Sequence, residues 1–135
     1  MSWTFEQSTG NLYDPSGNFA AKGYSGAPGF TDNPSDQELK DRGVIPQGIY
    51  SMGPPFDGPA HGQFAIPLTP DPKNQEFGRG GFMIHGDSIA RPGCASMGCI
   101  IMPYATRITI WDSRDHTLQV VAKFTRQLPE EPEDV

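Results

Sequence analysis

Long apolar runs are missing from this sequence. None approaches the roughly 18 residues that a membrane-crossing helix needs, so no bilayer span is expected. A basic surplus is missing too: 10 Lys and Arg stand against 16 Asp and Glu, the formal charge is −6, and the cations form no cluster. Nucleic acid and anionic membrane surfaces are therefore poor partners. Histidine and cysteine are scarce, at three and two. The opening "MSWTFEQSTG" lacks the basic and apolar segments of a secretory signal, so synthesis in the cytoplasm is expected. If the protein works elsewhere, something other than such a signal must carry it there.

Glycine and proline, by contrast, are plentiful, at 16 and 14. They follow no triplet period, and aromatic residues are interspersed throughout. That mixture indicates many short strands joined by tight turns. A chain of 135 residues is one domain's worth. The expected division is a single domain over 1–126 and an acidic, proline-containing disordered tail over 127–135.

Residues 2–25 alternate aromatic and polar side chains between turn sequences such as "DPSGN", which predicts a meander of antiparallel strands with Trp3 and Phe5 on one face. "SDQELKDRG" reads as a short helix capped by Ser35, with Asp36 and Glu38 in its first turn and Gly43 at its end. Strands are expected at Ile49–Met52, in "QFAIPLTP" with Pro67 marking an edge or a bulge, at Gly81–His85, in "GCIIMP", and in "HTLQVVAKF". In the last of these Leu118, Val120 and Ala122 share a face. "PYATRITIWDS" predicts a second helix, with Pro103 at its first position and Ile108 and Trp111 inward.

The densest chemistry lies in "MIHGDSIARPGCASMGCIIMP", which holds His85 and both cysteines. Three readings compete. A structural zinc site wants four Cys/His ligands in paired short spacings. Here His85 is the nearest histidine to Cys94 and Cys99, and His61 and His116 would have to arrive by the fold. A Cys94–Cys99 disulfide would close a tiny loop and stabilise little. The third reading is a cysteine nucleophile with its base. Gly98 allows a tight turn before Cys99, and His85 emerges from the apolar run Phe82–Ile84. Only the thiolate attacks at an appreciable rate, so a nearby imidazole is what such a cysteine requires.

"IHGDSIARPGCASMGCI" resembles the signature of L,D-transpeptidases of the YkuD type. His85 and Gly86 fall on the His-Gly, and Ser96, Gly98 and Cys99 fall on the Ser, Gly and Cys of Ser-His-Gly-Cys. "GVIPQGIY" resembles the Gly-x-x-Pro-x-Gly-x-Tyr/Phe segment upstream. Two positions depart from the pattern: Met97 replaces the second histidine, and Ile101 stands where an arginine is usual. The opening through "GYSG", the "HGDS" and the "SMGCII" resemble a subgroup more closely, the L,D-transpeptidase effectors of type VI secretion. There the resemblance spans the chain from Trp3 to the last strand.

The resemblance implies a mainly β fold, an L,D-transpeptidase-like β-sandwich or open barrel of short, mostly antiparallel strands with two short helices. It implies an antibacterial toxin acting on the peptidoglycan stem peptide in the target-cell periplasm, monomeric and without metal or cofactor. A cognate immunity protein and a component of the secretion apparatus would be its partners. Cys99 would be the nucleophile and His85 the base, with the Cys99 thiol lowered by the imidazole and alkylated ahead of Cys94. Gly98 and Cys99 N–H groups would face the oxyanion, and Ser96, Gly86 and Asp87 would orient the pair. Tyr24, His61, Arg79 and Arg91 are candidate substrate contacts. Another cysteine amidase or endopeptidase of the wall, and a non-enzymatic wall-binding module, are the alternatives.

Overall fold

The structure, a computed structural model, describes residues 2–58 and 62–125. The tail and His61 lie outside the described residues. Among the described residues ten strands form one mixed sheet. In chain order they are β1 (Trp3–Glu6), β2 (Asn11–Tyr13), β3 (Phe19–Lys22), β4 (Tyr24–Ser25), β5 (Gly48–Met52), β6 (Phe56–Gly58), β7 (Gly62–Pro70), β8 (Met83–His85), β9 (Ile100–Ile101) and β10 (Thr117–Val121). An α-helix, α1 (Tyr104–Asp112), sits between β9 and β10. The mainly β, mostly antiparallel class expected from the sequence is the class observed.

The strands run across the sheet in the order β3-β2-β1-β10-β5-β7-β8-β9-β4, with β6 also paired to β7. β1–β10 and β8–β9 are parallel, and the other neighbours are antiparallel. The meander expected over 2–25 holds for its first three strands. β4 instead leaves it to pair with β9, Tyr24 opposite Ile101. The two outermost strands, β3 and β4, are consecutive in the chain with only Gly23 between them, so the sheet curls round to meet itself as an open barrel. Gly23 is the seam: its N–H donates to the Gly10 carbonyl at 2.8 Å, and a Cβ there would come within 1.8 Å of the Ile101 carbonyl oxygen.

Inside the curl, alternate residues of the strands form the core, including Phe5, Leu12, Tyr50, Ile66, Ile84, Ile100, Leu118 and Val120. Val44, Ile45 and Met102 pack against them from the connections, and Ile110 from α1. The Tyr50 hydroxyl would be costly in such a place without a partner, and it donates to the Pro46 carbonyl at 2.7 Å.

Three local expectations change. The helix over 35–43 is a single 3-10 turn, Pro34–Asp36, capped by Asn33 rather than Ser35. No residue of that turn is buried, so it has no apolar face to pack, and a short helix gains most of its stability from such packing. Pro67 lies in the interior of the sheet, not at an edge: β8 flanks it on one side, and on the other its carbonyl accepts from Gly53 N, between β5 and β6. The missing N–H thus falls where β7 changes partners. In α1, Pro103 is the N-cap and the buried residues are Arg107 and Ile110, with Trp111 partly buried against the core. The inward face is rotated by one residue from the expected one, which adds an arginine.

Candidate active site

β8 and β9 are parallel neighbours, with Ile84 opposite Ile100 and His85 opposite Ile101. Ile84 and Ile100 belong to the core. Side chains alternate across a strand, so His85, Met83, Ile101 and Cys99, one step before β9, share the other face. Cys99 and His85 are therefore diagonal neighbours, about one strand spacing across (~4.8 Å) and two residues along (~6.6 Å). That is within reach of two side chains leaning toward one another.

Cys99 is half-buried, and its Sγ lies 3.7 Å from the Gly81 carbonyl oxygen. Burial pushes the thiol up, partly offset by the Met83 N–H and the positive charge of Arg79. The lowered thiol expected from the sequence is therefore not found: desolvation dominates, and the groups that oppose it are the Met83 N–H and Arg79. Cys94 is an exposed free thiol, and the two cysteines are not bridged.

His85 is buried, and its Nδ1 lies 2.9 Å from the Gly86 carbonyl. A carbonyl can only accept, so the neutral ring carries its proton on Nδ1 and its lone pair on Nε2. A backbone group, rather than Asp87, makes this contact. Asp87 is exposed and accepts from the Tyr24 hydroxyl at 2.6 Å, from Ser88 N and from Gly93 N. Desolvation raises its carboxyl, but these donors and the nearby His85 together hold it below its usual value. Burial and the Asp87 contact push the Tyr24 hydroxyl up, and Tyr24 accepts in turn from Ala95 N at 3.0 Å. Tyr24 and Asp87 therefore strap the 87–95 loop to β4.

Ser96, only 1% exposed, shapes the turn before Cys99. Its Oγ donates to the Cys99 carbonyl at 2.6 Å and accepts from Gly26 N and Gly98 N. Gly98 N–H is thus occupied and cannot face an oxyanion in this arrangement, which leaves the Cys99 N–H as the candidate. Gly98 itself has φ +126°, and a Cβ there would lie 2.3 Å from Arg79 Nη2.

Arg79 is buried. Its guanidinium donates to the carbonyls of Gln37, Gly43 and Val44 and lies over the Phe82 ring. It joins the Cys99 environment as a fixed internal charge. Arg91 is exposed on the loop. Met97, in the place of the second histidine, is 62% exposed beside Cys99, whereas Ile101 is buried.

Sequence reasoning missed Ser25 and Arg107. Ser25 is fully buried, and its Oγ accepts from Ile45 N and contacts the Gly98 carbonyl. Nothing in "YSG" signals that role. Arg107 stands three residues before Ile110 on the buried face of α1, a spacing that marks it once the helical phase is known.

Two recesses border the His85–Asp87 segment. One, of about 580 Å³, is lined by His85, Gln63, Ser88 and Arg107, among others. The other, of about 430 Å³, is lined by Lys22, Tyr24, Ile101 and Arg107 and shares Gly86, Asp87 and Tyr104 with the first. Cys99 opens on a third, smaller recess with Arg79, Gly81 and Met97. Among the described residues no three of His, Cys, Asp and Glu gather as a metal ion would need.

Fold and site together define a small, mainly β protein that presents a thiol and an imidazole on one face of two parallel strands. The Tlde1 domain matches residues 20–125, from β3 past β10, and the chain belongs to that family, enzyme-type effectors of type VI secretion with L,D-transpeptidase activity on peptidoglycan. Nothing among curated proteins or solved structures matches the chain.

Proposed function

We propose that this protein is an antibacterial effector that attacks the tetrapeptide stem of peptidoglycan through a Cys99 thioester. The observation that carries the proposal is the register of β8 beside β9, which sets His85 opposite Ile101, two residues past Cys99, within a Tlde1 domain. With Nδ1–H turned to the Gly86 carbonyl, Nε2 is the nitrogen that takes the thiol proton. The sulfur then adds to the carbonyl of the L-centre of meso-diaminopimelate, at the bond to the terminal D-Ala. The oxyanion is met by the Cys99 N–H. As the C–N bond breaks, His85 returns the proton to the leaving amine and D-Ala departs. Water resolves the thioester by hydrolysis, and a D-amino acid does so by exchange. Hydrolysis removes the tetrapeptide donors that the target wall needs for cross-links, and exchange caps them with a different residue.

The test is mass spectrometry of muropeptides after incubation with purified protein. Loss of one D-Ala, or its replacement by another D-amino acid, is expected. Cys99→Ala and His85→Ala should each abolish the change while keeping the fold, and their losses should not add, because nucleophile and base act as a unit. Release of whole stems from the sugar would make the protein an amidase, and unchanged muropeptides would make it a binding module. Toxicity should also depend on compartment. Expressed in the cytosol the protein should be nearly harmless, whereas fused to a secretory signal it should kill or deform cells. Equal toxicity from both forms would point to a cytosolic target.

A further inference from the structure

Arg107 is a buried cation without a carboxylate partner among the described residues. Only 5% of it is exposed. Nε donates to the Phe64 carbonyl at 3.1 Å, Nη1 to Met102 and Nη2 to Gln63. A guanidinium carries five N–H donors, so two have no partner among the described residues. Carbonyl dipoles hold the group in place but do not neutralise it, and burial presses its proton affinity down. A desolvated positive charge at the wall of an open recess is favourable chiefly when an anion completes it.

The position of that charge is specific. A Cβ on Gly86 would lie 3.0 Å from Arg107 Nη1, so the guanidinium packs directly against the residue that follows the imidazole. Arg107 lines both recesses beside His85 and Asp87. Asp87, the anion of the same wall, is turned toward Tyr24, Ser88 and Gly93, which offsets its repulsion of an incoming carboxylate. Arg79, the other buried arginine, borders the sulfur instead.

In the reaction proposed above, on which this inference rests, the leaving amine is beside His85. The carboxylate of a terminal D-residue is one carbon beyond that amine. We infer that Arg107 binds this carboxylate, so that the enzyme requires a free C-terminus on the residue it releases and accepts free D-amino acids in exchange. A planar, fixed guanidinium suits two carboxylate oxygens at once. The chain would therefore act as a carboxypeptidase or exchanger and not cut within longer peptides.

The experiment compares a tetrapeptide stem ending in D-Ala with the same stem ending in D-alaninamide, which presents the same scissile bond without the charge. The unmodified protein should turn over the acid about 10- to 100-fold faster in kcat/KM, the range of a hydrogen bond to a charged group. Arg107→Gln should collapse that ratio toward one, and Arg107→Lys should retain part of it. Where Arg107→Gln does not fold, NMR on the unmodified protein decides: D-alanine should shift the Arg107 Nε–H resonance and D-alaninamide should not. Equal turnover of both stems, or an unmoved resonance, overturns the role of Arg107 and leaves the cysteine chemistry standing. Turnover of neither stem overturns both.

Discussion

Burial raises the Cys99 thiol, while the Met83 N–H and Arg79 offset only part of the rise. A raised value means less thiolate at neutral pH than an exposed cysteine carries, and more as the solution is made alkaline. The order of alkylation expected from the sequence should therefore reverse. At limiting iodoacetamide near neutral pH, exposed Cys94 should be modified first with activity retained, and Cys99 later with activity falling in step. Peptide mapping of partly labelled protein reads this directly, and Cys99 modified ahead of Cys94 would refute it. The Cys99 rate should also climb with pH beyond the ordinary cysteine range of about 8.5.

Two short segments hold the thiol and the imidazole in register. The first is the Ser96 turn, whose hydroxyl serves Gly26 N, Gly98 N and the Cys99 carbonyl. Ser96→Ala would leave these buried groups without their partner, at about 1–3 kcal/mol for each group stranded. A clear fall in the denaturation midpoint together with lost activity is expected, and a midpoint unchanged from the parent would count against it. The second is the Tyr24–Asp87 strap. Tyr24→Phe removes both its bonds, to Asp87 and from Ala95 N, so amide exchange at Gly93 and Ala95 should quicken. Asp87 is held below its usual value. Its contribution is therefore complete above the ordinary carboxylate range and is lost as pH falls through the folded value. Acidification of the unmodified protein should quicken the same two amides, which hydrogen exchange would detect.

The whole molecule closes at Gly23. A Cβ there would meet the Ile101 carbonyl at 1.8 Å and Met102 Sδ at 2.8 Å, so Gly23→Ala must push β4 from β9 or open the curl. A loss of about 3 kcal/mol or more is expected, since the clash is with backbone that cannot step aside. A thermal unfolding midpoint within a degree or two of the parent would show that the seam is looser than its geometry. The same closure brings Tyr24 from the N-terminal third onto the loop after His85, so opening it should reduce activity as well as stability.

Much of this was written locally. The alternation of Leu118 with Val120, the turn chemistry between strands, and the shared face of Trp3 and Phe5 follow from the chain's own periodicity, and the mainly β class with them. "HGDS" and "SMGC" marked His85 at the end of β8 and Cys99 just before β9, because a motif is a local property of the chain. The rest depended on neighbours far away in sequence. Segment 35–43 had helical composition but found no surface to pack on. Pro67 is at home inside a sheet because β7 changes partners there, and β4 crosses to β9 because the sheet curls. The upward push on Cys99, the capture of Gly98 N–H by Ser96, and the burial of Arg79 and Arg107 are set by desolvation and by carbonyls that other segments deliver. A residue's charge state and hydrogen-bond partners are properties of its surroundings, and those surroundings exist only once the chain has closed on itself.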